Sequence, residues 1–323
     1  MKRGCVIGYD INEKGCQISY YDDSMEEPDT MMASSNNYLI PLVLGYFKDR
    51  WVFGKEAKRL AVVGEDCTET DLYGKAKRRE KVSLAGKTYD AVWLLAKYIS
   101  LTLQDFENIQ YLTFTTPETD VDMAKMLKGI GQHIGVDKEI INVQDYKESF
   151  CQYMIFQPKE LWQYESALFY CDEDRIKAYM LRRLRVDASH GMNSFVTVDE
   201  VANAQRKELE ALYPIMNKEK SPDESFKSMI ENVFEKKVIS SVYLTGEGFE
   251  KNWYPNSLRV LCNGRRAFMG NNLYSKGACY KSIRKCEPND DGPIYLDETK
   301  LTERICLRMR VDGQEGWYPL VTW

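Results

Sequence analysis

Strand-like and helical segments alternate along the middle of the sequence, and this alternation constrains the fold more than any other feature. Residues 111–115 form an apolar, β-rich run, and Asp120 follows at the position of a helix cap. Residues 140–143 again have strand character, and residues 145–156 have the pattern of a helix. Because strands and helices in this order pack as layers, we predict an α/β fold with mixed sheets.

The N-terminal part predicts an antiparallel meander that leads into helices. Strands are expected over residues 5–11 and 17–21, joined by a tight turn that contains Gly15. The elements expected next are strands over 38–46 and 51–53, a helix over 55–63, a hairpin over 82–87 and a helix over 89–105.

The C-terminal half predicts a second set of strands and helices. In chain order we expect a hairpin over 166–171 and 175–182, a largely helical segment over 194–217, a helix from Ser221 to about residue 237, a strand over 241–245, helices over 256–262 and 272–283, and short strands after residue 287. This order adds a second α/β unit and a small β tail.

Composition and charge exclude several classes of protein. The 323 residues are 44% apolar and 29% charged, which is typical of a compact soluble protein. There are 44 basic and 49 acidic residues, so the formal net charge is −5 and we expect no nucleic acid as a partner. No segment has the roughly 20 apolar residues of a membrane span, and the apolar run before Asp10 is too short for a signal-peptide core. We therefore expect a cytoplasmic protein that does not bind membranes.

Cysteine and histidine usage argues against metal and disulfide sites. The nine cysteines are an odd number, are spread over the whole chain, and are nowhere arranged as Cys-x-x-Cys. The two histidines, His133 and His190, are too few for a histidine-rich metal centre. A structural zinc site and a disulfide framework are therefore not expected.

Three spaced segments carry a family resemblance. They are IGYDI at 7–11 with the strand QISY at 17–20, FGKEA at 53–57, and VYLTGEGF at 242–249 with GAC at 277–279. In this order they resemble the first phosphate hairpin, the glycine-and-helix step and the adenosine-side turn of the superfamily that contains actin, the heat-shock chaperone ATPase domains and the sugar kinases. More narrowly, the sequences of these segments resemble those of an uncharacterised bacterial branch of that superfamily, a domain of unknown function.

The resemblance implies a two-lobed, actin-like (ribonuclease-H-like) ATPase fold with mixed sheets and a short C-terminal β appendage. On that basis we expect an N-terminal lobe over residues 1–157, a C-terminal lobe over 158–286, and the appendage over 287–323.

The same resemblance implies a nucleotide site between the lobes. A hairpin after an acidic strand end can present backbone N–H groups to phosphate, while the carboxylate holds a hydrated magnesium ion. The positions implied for nucleotide contact are Asp10, Asn12, Lys14, Gly246, Glu247, Gly248 and Gly277, and those for magnesium are Asp10 and Asp172. The implied cofactors are ATP and magnesium, and the alternative is that the protein uses neither.

Both phosphate hairpins depart from the family pattern. The first has Asn12, Glu13 and Lys14 where the family has Gly and small hydroxyl residues, and Glu13 would repel a polyphosphate. The second contains Asp172, Glu173 and Asp174 and no glycine, so its side chains block the approach of phosphate to the backbone. A solvated hairpin turn is the plainer interpretation of these three acids, because Asp is common in turns. Hydrolysis is therefore doubtful on the sequence.

These departures divide the functional hypotheses. We favour a degenerate superfamily member that acts as a scaffold or partner-binding module, with weak or absent nucleotide binding and a protein partner that the sequence does not identify. The alternative is an active Mg-ATP-dependent conformational switch with ATPase activity. A small-molecule kinase ranks third, because it needs a general base near an acceptor hydroxyl and spacing assigns no catalytic residue.

Overall fold

The computed structural model describes residues 4–34, 37–63, 67–184, 194–205, 221–287, 292–297, 305–311 and 314–321. Over these residues the chain forms a mixed α/β fold with several sheets, as the sequence predicts. Two of the sheets have six strands each, and helices pack between and around them.

The first half of the chain builds one of the six-stranded sheets and two smaller ones. Its elements are β1 (Cys5–Ile11), β2 (Gly15–Tyr21), β3 (Asp29–Thr30), β4 (Ile40–Pro41), β5 (Leu44–Phe47), β6 (Arg50–Phe53), α1 (Gly54–Val63), β7 (Thr68–Glu69), α2 (Leu72–Lys77), β8 (Lys81–Leu84), β9 (Lys87–Asp90), α3 (Ala91–Thr102), β10 (Ile109–Thr116), α4 (Val121–His133), β11 (Ile141–Asp145) and α5 (Tyr146–Ile155). The large sheet has the order β11-β10-β1-β2-β3, and β4 also pairs with β2.

The second half builds the other six-stranded sheet and a separate hairpin. Its elements are β12 (Glu165–Cys171), β13 (Arg175–Leu184), β14 (Phe195–Gln205), α6 (Pro222–Phe234), β15 (Ile239–Thr245), α7 (Pro255–Leu261), β16 (Arg266–Met269), α8 (Leu273–Cys286), β17 (Ile294–Tyr295), β18 (Ile305–Val311) and β19 (Gln314–Val321). The large sheet has the order β16-β15-β12-β13-β14-β17, and β18 pairs with β19.

The two large sheets share one topology. In the first, β1, β2 and β3 are antiparallel neighbours, and β10 and β11 extend the sheet beyond β1 as parallel strands. In the second, β12, β13 and β14 are antiparallel neighbours, and β15 and β16 extend the sheet beyond β12 in the same way. A helix follows the last parallel strand of each unit, α5 after β11 and α8 after β16. The chain therefore contains two copies of one arrangement.

Aspartate side chains define where three helices of the first unit begin. Asp90, Asp120 and Asp145 each accept a hydrogen bond from the backbone N–H group three residues further on, at 3.2, 2.7 and 2.8 Å. The cap predicted at Asp120 is thus confirmed. Across the described residues, none of the helices has both the length and the apolar character needed to cross a membrane.

The helix predicted over 194–217 is wrong over its described part. Residues 195–205 form β14, which pairs antiparallel with β13 and buries Val196 and Val198 on one face. The local sequence contains Glu, Ala and Gln, which favour helices, but pairing with β13 decides the structure. Residues 206–217 of the predicted helix lie outside the described residues. The short edge strand β16 is also absent from the sequence-based expectations.

Two helices cross between the large sheets, and each packs on the sheet of the other unit. α8 lies on β1, β2 and β10 of the first sheet. α5 contributes Tyr146 and Phe150 to a core that contains Leu168, Leu181 and Val198 of the second sheet. The two helices also pack against each other. Because of this exchange, neither unit covers that face of its sheet without the other.

Glycines set how closely α8 approaches its neighbours. A Cβ on Gly8 would lie 2.1 Å from the carbonyl oxygen of Ser275 and 2.2 Å from the nitrogen of Cys279. A Cβ on Gly277 would lie 2.0 Å from the carbonyl oxygen of Ser149. These distances are far below van der Waals contact, so α8 meets both β1 and α5 backbone to backbone.

Buried hydroxyl pairs fix the position of α8 on the first sheet. Ser19 Oγ and Ser275 Oγ lie 2.8 Å apart, and Thr113 Oγ1 and Ser282 Oγ also lie 2.8 Å apart. Ser282 Oγ is in addition 3.1 Å from the carbonyl oxygen of Ile7. Sliding the helix along the sheet would break several of these pairs at once. Each break would destabilise the fold, because a buried hydroxyl without a hydrogen-bond partner costs free energy.

We expect Gly8→Ala to destabilise the protein by about 3 kcal/mol, because the new methyl group would push α8 away from β1. The measurement is equilibrium unfolding in urea, followed by circular dichroism and by tryptophan fluorescence.

Gly129→Ala provides the matched control for this prediction. Gly129 lies inside α4, and a Cβ there would meet no atom within 4 Å. Alanine is more stable than glycine inside a helix, so the free energy of unfolding of this variant should rise by about 0.5–1 kcal/mol. Equal stability of Gly8→Ala and the wild-type protein would contradict the close packing of α8 on β1.

Candidate functional site

The carboxyl group of Asp10 lies at the buried end of β1, and only 3% of this residue is exposed. The phenol of Tyr146 donates a hydrogen bond of 2.8 Å to Asp10 Oδ1. Tyr146 is the first residue of α5, and the cap by Asp145 fixes where that helix begins. Asn12 Nδ2 in turn donates to the Tyr146 oxygen at 3.0 Å, so three side chains form one chain of hydrogen bonds.

The protonation of Asp10 follows from this environment. Burial raises the pKa of Asp10 from its ordinary value of 3.8 to about 7, and the hydrogen bond from Tyr146 opposes this rise in part. A large fraction of the molecules therefore holds this carboxyl group in its neutral form near pH 7.

Tyrosine side chains from both units fill the space next to Asp10. The rings of Tyr146 and Tyr274 stack with their centroids 3.7 Å apart and an interplanar angle of 8°. Tyr170 approaches Tyr274 with a centroid distance of 6.4 Å. Burial raises the pKa of Tyr146 and of Tyr274 well above the ordinary value, so both phenols stay neutral. The Tyr274 hydroxyl is buried and has no hydrogen-bond partner among the described residues.

The turn between β1 and β2 is closed by its own side chain. Asn12 Oδ1 accepts hydrogen bonds from the backbone N–H groups of Lys14 at 2.9 Å and of Gly15 at 3.3 Å. The Asn12 N–H group donates to the carbonyl oxygen of Gly15 at 3.0 Å. The backbone N–H groups of Asn12, Lys14 and Gly15 therefore have partners within the turn.

The turn between β12 and β13 repeats this geometry in the second unit. Asp172 Oδ1 accepts hydrogen bonds from the N–H groups of Asp174 and Arg175, both at 2.8 Å. The acceptor again bonds the second and third residues that follow it, as Asn12 does in the first unit. Counting back two residues from each acceptor gives Asp10 in the first unit and Tyr170 in the second. The acid of the first strand thus has an aromatic residue as its counterpart.

The glycines after β15 fit against the end of β12. Gly246 has φ +100°, and a Cβ there would lie 2.1 Å from the carbonyl oxygen of Cys171. A Cβ on Gly248 would lie 2.3 Å from Cys171 Sγ. The N–H group of Gly246 donates to Asn271 Oδ1 at 3.0 Å. The absence of side chains at both positions is therefore explained by packing against the second hairpin.

Ion pairs join the two units on either side of this site. Lys14 Nζ, in the β1–β2 turn, pairs with Glu247, which lies in the 3-10 turn that follows β15. Lys177 of β13 lies 3.7 Å from Glu118, which follows β10, and 3.3 Å from Glu200 of β14. Lys14, expected to face phosphate, is therefore paired with a carboxylate of the other unit.

The remaining residue implied by the resemblance, Gly277, lies inside α8 at the crossing with α5. It meets the backbone of Ser149 there. The structure thus brings Asp10, Asn12, Lys14 and Glu247 to one region, whereas Gly277 serves the contact between the two helices. Within the described part of the chain, no group of three or more His, Cys, Asp or Glu is placed to hold a metal ion.

Sequence reasoning missed the two stacked tyrosines. Tyr146 is the first residue of α5 and Tyr274 is the second residue of α8, and each helix follows the last parallel strand of its unit. The signal that could have found them is their equivalent place behind β11 and β16, which requires the duplicated topology to be known first.

Comparison with known proteins gives one family. The model described as "Family of unknown function (DUF5716) C-terminal" matches residues 27–298. The match covers most of the chain and includes α5, α8 and the second hairpin, whereas the β1–β2 turn precedes it. No curated protein matches the chain.

The raised pKa of Asp10 predicts a pH dependence of stability. Because the folded state holds this proton more tightly than the unfolded state, the free energy of unfolding should fall as pH rises from about 4 to about 7. The loss from this group is about 4 kcal/mol, and Asp10→Asn, which mimics the neutral form, should lack it. The measurement is urea unfolding of both proteins at half-unit pH steps. Parallel profiles of the two proteins would refute the shift.

Removing single phenol oxygens separates the two stacked tyrosines. Tyr146→Phe removes the hydrogen-bond donor to Asp10 and the acceptor for Asn12. It should therefore lower the free energy of unfolding by about 1–3 kcal/mol. It should also raise the pKa of Asp10 further, because the lost hydrogen bond lowers it.

Tyr274→Phe is the matched control, since it removes a buried hydroxyl that has no partner among the described residues. This variant should be as stable as the wild-type protein or more stable. Both variants are compared by urea unfolding at pH 6 and pH 8, flanking the titration of Asp10 at about 7. A larger loss for Tyr274→Phe than for Tyr146→Phe would contradict the hydrogen-bond arrangement.

Proposed function

The chain belongs to the DUF5716 C-terminal family, whose description states no activity, and we propose a function from the site itself. The protein is a degenerate member of the superfamily that contains actin and the heat-shock chaperone ATPase domains. It acts as a scaffold that binds a partner protein, with weak or absent nucleotide binding.

The duplicated topology supports the assignment to that superfamily. Each unit has three antiparallel strands, two further parallel strands reached through helices, and a helix that crosses to the other unit. The segments that resemble the superfamily occupy matching places: IGYDI forms β1, and VYLTGEGF forms most of β15 and the turn after it. A two-lobed, actin-like arrangement would have this repeated order.

One observation supports the proposal of a degenerate site: in each of the two hairpin turns, an Asx side chain accepts hydrogen bonds from two of the backbone N–H groups that could otherwise point at a phosphate. Backbone N–H groups bind a polyphosphate only when they point at it without another acceptor. Opening both turns would break four hydrogen bonds before any contact with a nucleotide forms.

Asp10 and Asp172, the residues expected to hold magnesium, are also poorly suited to bind it. Magnesium takes charged oxygen ligands, and it keeps several of its waters. Asp10 is buried, is protonated in a large fraction of the molecules near pH 7, and lies under the Tyr146 phenol, so it offers neither a permanent charge nor free space to a metal ion. The Asp172 carboxylate already closes its own turn. These residues do not fit a magnesium nucleotide in this arrangement, and we derive no reaction through one.

The alternative of an active switch draws on the cross-unit ion pairs. In an exposed pair such as Lys14 with Glu247, the net contribution is about 0–1 kcal/mol, so opening this contact costs little. An active switch would then need Tyr146 and Tyr274 to separate and Asp10 to ionise.

Unfolding with and without Mg-ATP distinguishes the two functions. We expect millimolar Mg-ATP to leave the unfolding midpoint unchanged. A nucleotide present at 100 times its Kd would stabilise the native state by about 2.7 kcal/mol, which this measurement detects.

Lys14→Met tests whether only the ion pair excludes the nucleotide. This variant loses the pair with Glu247 and keeps the tyrosine stack, so it should also show no shift with Mg-ATP. A clear upward shift in the wild-type protein, abolished by Asp10→Ala, would overturn the degenerate-site proposal and favour the switch.

A further inference from the structure

The strongest feature outside the candidate site is a groove between α3 and α4, which we call the α3–α4 groove. It has a volume of about 400 Å³, and its lining includes Arg79, Asp90, Trp93, Lys125 and Gly129 together with aliphatic side chains of α3 and α4. α3 and α4 share a core with Ile7, Tyr9 and Ile11, the residues of β1 that alternate with Gly8. The groove therefore lies on the opposite side of the first sheet from α8.

A rigid aromatic side chain stands in this groove. Trp93 is 39% exposed, which is high for a tryptophan. Its ring stacks on Tyr89 at a centroid distance of 5.5 Å and an angle of 12°, and it meets the edge of Trp51 at 5.8 Å. A tryptophan that its neighbours already hold loses little freedom on binding, and such residues dominate protein interfaces.

The glycine in the groove has no explanation within the chain. A Cβ on Gly129 would meet no atom within 4 Å, although glycine inside a helix is less stable than alanine. Gly131, two residues later, is different, because a Cβ there would lie 2.6 Å from Ile141 Cδ1. The missing side chain at Gly129 therefore leaves open space at the surface of α4, where a partner could approach closely.

The rim of the groove carries positive charge without neutralising partners. Arg79 and Lys125 form no ion pair within the described part of the chain. The single acid of the lining, Asp90, uses its carboxylate to cap α3 by accepting from Val92 N–H at 2.8 Å. An apolar floor with this rim is complementary to an apolar surface flanked by carboxylates.

We propose that the α3–α4 groove binds a short amphipathic helix of a partner protein, with aliphatic side chains against Trp93 and Gly129 and acidic side chains toward the basic rim. A third helix packs well in a groove between two helices. Such a helix contacts the groove with apolar side chains spaced three and four residues apart. The inference deepens the proposed scaffold function and rests on it for the existence of a partner. It does not depend on the state of the nucleotide site.

The test uses three labelled synthetic helical peptides of about 16 residues with the apolar spacing of a groove-binding helix. The first has Leu on one face and Glu on the other, the second has Lys in place of Glu, and the third has Ala in place of Leu. Binding to the full chain is followed by fluorescence anisotropy. We expect the Leu/Glu peptide to bind about tenfold more tightly than either of the others.

Variants of the protein locate the binding. Gly129→Leu fills the groove, and Lys125→Glu reverses part of the positive charge of the rim. Each should weaken the binding of the Leu/Glu peptide about tenfold. Lys58→Glu, at an exposed position of α1, makes the same change in net charge elsewhere and should leave binding unchanged. The unfolding midpoints of Gly129→Leu and Lys125→Glu are measured on the same samples. That of Gly129→Leu should not fall below the wild-type value, because a Cβ at this position meets no atom within 4 Å and leucine favours a helix over glycine. This measurement separates loss of binding from loss of folding.

The outcomes decide between the possible occupants. Equal binding of the Glu and Lys peptides, no binding of the Leu/Glu peptide, or binding that survives Gly129→Leu would overturn the proposal. Self-association in sedimentation equilibrium that Gly129→Leu abolishes would overturn it in favour of a second copy of this chain. Mg-ATP stabilisation is measured on the same samples, so peptide binding together with ATP binding would defeat the degenerate-site proposal and leave the groove assignment standing.

Discussion

The contact on which the rest of the structure depends is the backbone-to-backbone approach of α8 to β1 and α5. It is possible only because Gly8 and Gly277 carry no side chain at the two points of contact. Hydroxyl groups of Ser19, Thr113, Ser275 and Ser282 then pair with one another in the same interface, so these four buried hydroxyls keep hydrogen-bond partners despite the close approach. Through this contact the helix of the second unit completes the core of the first, and α5 does the reverse.

The chemistry at Asp10 follows from this crossing. α5 begins at Asp145, and its first side chain, Tyr146, therefore lies directly over the Asp10 carboxyl group. Tyr274, the second residue of α8, lies close by, so the two crossing helices bring their rings into a stack. The burial that these rings create raises the pKa of Asp10 toward neutrality. The helices that join the units thus also determine the burial and the hydrogen bonding of Asp10.

Local signals in the sequence predicted the elements that depend on neighbours along the chain, and failed where pairing across the fold decides. The cap at Asp120 and the strands β1, β2 and β10 are predicted from local sequence, and an Asp cap is predictable because it acts over three residues. β14 was not readable, since its 11 residues mix acids, alanines and valines and become a strand only by pairing with β13. At the candidate site, Asp10 and Asn12 are predicted only from the resemblance of the first hairpin to the phosphate hairpin of the superfamily. The partners Tyr146 and Tyr274 lie 136 and 264 residues from Asp10 along the chain, and no local pattern connects them.

The crossing of α5 and α8 also determines whether nucleotide binding could affect the binding of a partner in the α3–α4 groove. Coupling between a ligand site and a distant surface requires an element with two arrangements that the ligand can bias. Here the junction of the units is built from glycine contacts and paired buried hydroxyls, and rotation about it would force Cβ atoms or unpaired donors into the interface. The α3–α4 groove belongs to the first unit alone and lies across its sheet from this junction. A partner bound there should therefore be held constitutively, with an affinity that Mg-ATP does not change, as a scaffold requires and a nucleotide-driven switch does not.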